Sequence, residues 1–159
     1  MGYSLSLGSK LRYMYSRFFL LFFAVLSTFY TAVGQEYPQD YFRSPLEIPL
    51  YLSGTFGELR SNHFHSGIDI KTNQREGQRV VTVAEGQVVR IKVSPYGFGK
   101  ALYVRHPNGY TSVYAHLQRF NDKIQAYVRD AQYRQKSFAV DLYPEAGTFP
   151  VEQGQLIAL

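Results

Sequence analysis

Within Ser61–Lys71, "SNHFHSGIDIK", His63, His65 and Asp69 fall inside seven residues. Imidazole nitrogen and carboxylate oxygen are donors that zinc takes at about 2.0–2.2 Å. All three positions are odd, so on a straight strand the side chains would point the same way. A straight strand, however, keeps the Cα atoms of His65 and Asp69 about 13 Å apart at roughly 3.3 Å per residue, too far to share one ion. A helix would stack such an i, i+4 pair on one face. Gly67 beside Ile68 and Ile70 makes poor helix, and extended chain follows. The remaining route is a bend at Ser66-Gly67, which glycine permits, with Asp69 opening a strand and His65 folded back towards it. Spacing alone leaves open the alternative of two unrelated side chains, because a zinc site needs at least three protein ligands. His63 is a cleft-wall candidate or a plain exposed histidine. His106 precedes Pro107-Asn108-Gly109 and reads as a hairpin-end residue. His116, in Tyr114-Ala115-His116, closes a strand either beside a site or at a sheet edge.

The elements that must position these residues are mostly strands. Pro38, Pro45 and Pro49 forbid a long helix over 35–53, which reads as an extended arm. "RVVTVAEGQVVRIKVS" is two β-branched runs meeting at Glu85-Gly86, the pattern of an ordinary hairpin. "ALYVRHPNGYTSVYAHL" is a second hairpin, Ala101–Arg105 with Tyr110–His116, turned at Asn108-Gly109. "SPYGFGK" is a glycine loop lacking the spacing of a phosphate loop. Residues 118–150 break the rhythm, with parts that can be helical, and read as an insertion: a lid beside the site or a solvated excursion. A last strand is expected from Val151.

The charge pattern disfavours a nucleic-acid partner. The chain carries 17 basic and 12 acidic side chains, but Lys10, Arg12 and Arg17 precede the apolar run beginning at Phe18. Without residues 1–34, the balance is 14 against 12, a net of +2, and no basic stripe remains. That N-terminal pattern, with Ala32 and Gly34 ahead of Gln35, reads as a signal peptide over 1–34, the alternative being an uncleaved anchor. With no cysteine there is no lipobox, no disulfide and no thiol nucleophile.

Taken in order, "FHSGIDI", "VVTVAEGQVV", "YGFGKALYVRHPNGYTSVYAHL" and "VEQGQLIAL" resemble the LytM/lysostaphin-type zinc metallopeptidases. The resemblance implies a mainly β fold, an antiparallel sandwich with a partly helical insertion, and a catalytic domain over 54–159. It implies Zn2+ as cofactor, with His65 and Asp69 as metal ligands and His116 as a catalytic histidine outside the metal shell. It also implies hydrolysis of peptides in cell-wall peptidoglycan by an exported protein of the periplasm or cell envelope, free of the membrane once the leader is cleaved. The family's final His-x-His has no counterpart after His116, so the chain reads as a fragment stopping before its third ligand and inactive as it stands. The alternatives are a non-catalytic scaffold that regulates wall hydrolases and a carbohydrate-binding β module.

Overall fold

The computed structural model describes residues 7–28 and 39–159. It divides into two compact units, Met1–Pro38 and Gln39–Leu159. In the first, helix α1 runs from Leu7 to Thr28, across the basic and apolar segments of the expected leader. Among the described residues no helix is long and apolar enough to cross a membrane. The expected cleavage boundary, Ala32 to Gln35, lies outside the described residues.

The second unit is mainly β, with antiparallel pairing throughout. Its strands are β1 (Leu52–Gly54), β2 (Asp69–Ile70), β3 (Val80–Val81), β4 (Gly86–Val93), β5 (Lys100–Arg105), β6 (Thr111–Tyr114), β7 (Val140–Leu142), β8 (Pro150–Val151) and β9 (Leu156–Ala158). Helix α2 (Asp122–Gln135) lies between β6 and β7. The principal sheet runs β6-β5-β4-β7, with β8 pairing β4 at its start. Register sets Ile91 opposite both Leu102 and Leu142, and Leu102 opposite Tyr114. That apolar inner face joins one core with Phe120, Ile124, Val128, Phe149 and Ile157. Helix α2, through Ile124, Val128 and Ala131, and β9, through Ile157 and Ala158, contribute to the same core as the sheet.

Three expectations change. Glu85-Gly86 does not turn a hairpin, since β3 pairs β9 while β4 pairs β5, β7 and β8. The segment is a corner between sheets. Ala84 is buried there, and a Cβ on Gly86 would collide with the Arg105 carbonyl. Glycine therefore serves close backbone approach rather than turning. Secondly, the single strand expected from Val151 is two strands in two sheets, β8 and β9. They are broken at Glu152–Gln155, where Gly154 takes φ +79°. Thirdly, the helical part of residues 118–150 is not a solvated excursion but packs on the core. Asn121 caps α2 by accepting from the Ile124 N–H at 3.0 Å, and Ile124, Val128 and Ala131 bury a stripe at i, i+4, i+7. The arm residues are tied in as well, with the Arg43 N–H donating to the Val83 carbonyl and the Val81 N–H to the Pro45 carbonyl.

Candidate metal-binding site

A small irregular hairpin builds the site. The His65 N–H donates to the Glu58 carbonyl at 2.8 Å, the Gly57 N–H to the His65 carbonyl at 2.8 Å, and the Arg60 N–H to the His63 carbonyl at 2.9 Å. Leu59 faces Phe64 across it. Alternation then sets Glu58, Arg60 and His65 on one face, with Leu59 and Phe64 on the other. The chain bends at Gly67 and enters β2 at Asp69, which pairs with Gly54 of β1. The expected bend is present, but glycine's freedom is not what makes it. Gly67 has no left-handed φ and has open space where a Cβ would stand.

This folding brings His65 and Asp69 together, Nε2 to Oδ1 at 3.3 Å. The His65 ring is fixed from behind, with Nδ1 2.9 Å from the Thr55 carbonyl oxygen. A carbonyl only accepts, so Nδ1 carries the proton and donates it. Arg60 Nη2, 3.4 Å from the same Nδ1, therefore makes no hydrogen bond to it. Instead Nη2 donates to Asp69 Oδ2 at 2.7 Å, with Glu58 Oε2 at 3.5 Å on its other side. Asp69 thus spends one oxygen on Arg60 and turns the other to His65. In this tautomer, the Nε2 lone pair and the Oδ1 lone pair face each other, and only a proton or a cation between them makes that arrangement favourable. Two donors 3.3 Å apart also fit a tetrahedral edge, which is about 3.3 Å for ligand bonds of about 2.0–2.1 Å. The donor chemistry and spacing fit zinc; the number of donors falls short. Among the described residues, no third His, Cys, Asp or Glu completes a metal-holding group.

The other histidines stand apart. His116 is exposed, its N–H bonded to the Phe98 carbonyl at 3.0 Å and its ring set edge-on to Phe98 at 6.2 Å. Its backbone is left-handed, φ 56°, which is uncommon outside glycine. No hydrogen bond, ion pair or ring contact among the described residues joins it to His65 or Asp69. His63 is exposed, with its Nδ1 2.6 Å from the Asn62 side-chain oxygen. His106 is buried in a fully bonded chain. Its Nδ1 donates to the Glu85 carbonyl at 2.7 Å, and its Nε2 meets Ser112 Oγ at 2.8 Å. Ser112 Oγ lies 3.1 Å from the Tyr114 hydroxyl, which accepts from the Val83 N–H at 2.9 Å. Burial raises the Tyr114 phenol above its ordinary value, so it stays neutral. Here histidine is structural, as its place at the hairpin end suggested.

Sequence reasoning missed Gly54, Thr55 and Arg60. Gly54 is the space-maker, since a Cβ there would lie 2.5 Å from both Arg60 Nη2 and Asp69 Oδ2. Its signal was the residue type alone, which reads as a turn.

Residues 63–133 match the model of peptidase family M23. The match bears out the resemblance to the LytM-type peptidases and supports a hydrolase of the peptidase kind. It spans His63, His65, Asp69 and His116 and runs into α2, while Gly54, Thr55 and Arg60 lie upstream of it. No match was found among curated proteins or among solved structures.

Proposed function

We propose that this M23-family chain is the site-bearing part of a zinc-dependent endopeptidase acting on the peptides of bacterial peptidoglycan, exported to the periplasm or cell envelope. One observation carries the reading. His65 Nε2 and Asp69 Oδ1 face each other at 3.3 Å, with the opposite ring nitrogen committed to a backbone carbonyl. Metal-binding histidines are held in this way, with the second nitrogen donating its proton to fix ring and tautomer. His65 and Asp69 would hold a zinc ion, whose Lewis acidity would serve to polarise a peptide carbonyl and activate water.

The rest of the chemistry falls to the chain's own side chains. Asp69 offers one oxygen while Arg60 holds the other, so the carboxylate cannot swing away from His65. His116 is the proposed proton carrier. It is exposed, and its left-handed backbone is held by the bond from its N–H to the Phe98 carbonyl and by the one from the Leu117 N–H to the Lys100 carbonyl. A residue kept in that region against its cost points to a required side-chain direction. In that role it orients water, carries its proton or stabilises the oxyanion.

The test is zinc content and peptidoglycan hydrolysis of the full reading frame. His65→Ala and Asp69→Ala should abolish both, while His116→Ala should keep zinc and lose hydrolysis. Loss of zinc in His116→Ala would overturn the assigned role. A second reading, a non-catalytic scaffold that regulates other wall hydrolases, is favoured by the absence of a third donor among the described residues. Wall binding without zinc or hydrolysis would select it.

A further inference from the structure

The geometry points to Arg60 as a positioning residue for the metal pair, a clamp that makes Asp69 a one-oxygen ligand aimed at His65. The inference rests on the zinc reading above. Three features lead to it. Arg60 Nη2 takes Asp69 Oδ2 at 2.7 Å, so Oδ1 alone is left for His65. A free carboxylate rotates and can chelate an ion with both oxygens; one bonded by guanidinium on one side cannot. Secondly, the contact exists only because residue 54 lacks a side chain, as any Cβ there would sit 2.5 Å from both bonded atoms. Register places that glycine directly opposite Asp69. Thirdly, the arrangement leaves the buried Arg60 Nε without a hydrogen-bond partner, so the arginine is not seated there to satisfy itself.

A cation beside a metal site should repel the metal, and Glu58 answers that objection. Its Oε2 lies 3.5 Å from Arg60 Nη2 and accepts from the Thr55 N–H at 3.2 Å. Glu58, Arg60 and Asp69 together carry −1 + 1 − 1 = −1. The pair therefore keeps the net charge of an unclamped aspartate while gaining its orientation. Thr55 serves both halves, its N–H holding Glu58 and its carbonyl holding His65.

The experiment is a Zn2+ titration of the full chain, followed by the 15N signals of the His65 ring, a readout independent of hydrolysis. In the wild type, Nε2 should shift while Nδ1 keeps its proton. Arg60→Met should weaken apparent zinc affinity roughly tenfold, the scale of outer-shell losses at metal sites, and Arg60→Lys should recover part of the loss. Gly54→Ala, which keeps both charges but separates them, should mimic Arg60→Met and guards against a folding defect peculiar to that variant. If Arg60→Met or Gly54→Ala binds zinc as well as or better than wild type, repulsion outweighs orientation and the clamp is wrong, with the zinc reading intact. If the wild-type His65 signals ignore Zn2+, the zinc reading falls and the clamp with it.

Discussion

Two β regions of this molecule are held together by different forces. In the β4–β5 sheet, Val88, Ile91, Leu102 and Val104 are fully buried, and removal of apolar surface from water does the holding. Around the β1–β2 pair, the large apolar side chains face solvent, with Phe56 at 75%, Leu59 at 74% and Phe64 at 68% exposure. What fixes His65 and Asp69 is instead a set of directional bonds: the His65 ring to the Thr55 carbonyl, the His65 N–H to the Glu58 carbonyl, and Arg60 to Asp69. Burial is tolerant of direction and strong in sum, whereas hydrogen bonds are weak in net but set angles. The sheet thus supplies stability, and the surroundings of the β1–β2 pair supply geometry at little energetic gain.

The largest test of this contrast is Phe120→Ala. Phe120 is fully buried and joins α2 to β9, so its truncation should cost about 3–5 kcal/mol in denaturant unfolding. A loss below about 1 kcal/mol would mean that the core is not where the stability lies. Next, Tyr114→Phe should cost about 1–3 kcal/mol by leaving the Val83 N–H without its acceptor. A near-neutral result would show that water reaches the corner at Glu85. A smaller effect is expected in acid. Arg90 binds both oxygens of Asp141 at 2.7 and 2.6 Å and lowers the aspartate below its ordinary 3.8. The folded value is depressed, so this stabilisation is present above about pH 3.8 and is lost as pH falls through the folded value. Asp141→Asn should flatten that part of the acid unfolding curve, and only slightly, because the pair is over a third exposed at the aspartate. The smallest change should come from Phe64→Ala, within about 0.5 kcal/mol of wild type, since its ring is already in water. A loss as large as that of Phe120→Ala would erase the distinction between the two regions.

Much of the sheet was legible because its signals are local. Asn108-Gly109 between β-branched runs specifies the β5–β6 hairpin, and the structure forms it with Gly109 at φ +87°. Glu85-Gly86 misled because a turn signal marks where a chain changes direction, not which strand receives it. Helix α2 was only partly legible, since its buried stripe is Ile124, Val128 and Ala131 amid polar residues. At the site, type and spacing marked His65 and Asp69 as candidates but left an unrelated pair open, and the family resemblance assigned them as ligands. Arg60 and Gly54 could not be picked out, because their roles depend on the Leu59–Phe64 bridge and the Gly54–Asp69 register, both properties of the folded chain.

The Thr55 carbonyl that fixes the His65 ring has a consequence for how this site tolerates sequence drift. The orienting atom belongs to the main chain, so the genetic code cannot delete it. Any residue at position 55 brings the same oxygen, and even proline would retain it while losing the N–H that holds Glu58. Side-chain scanning would therefore pass over position 55, although the direction of the imidazole is set there.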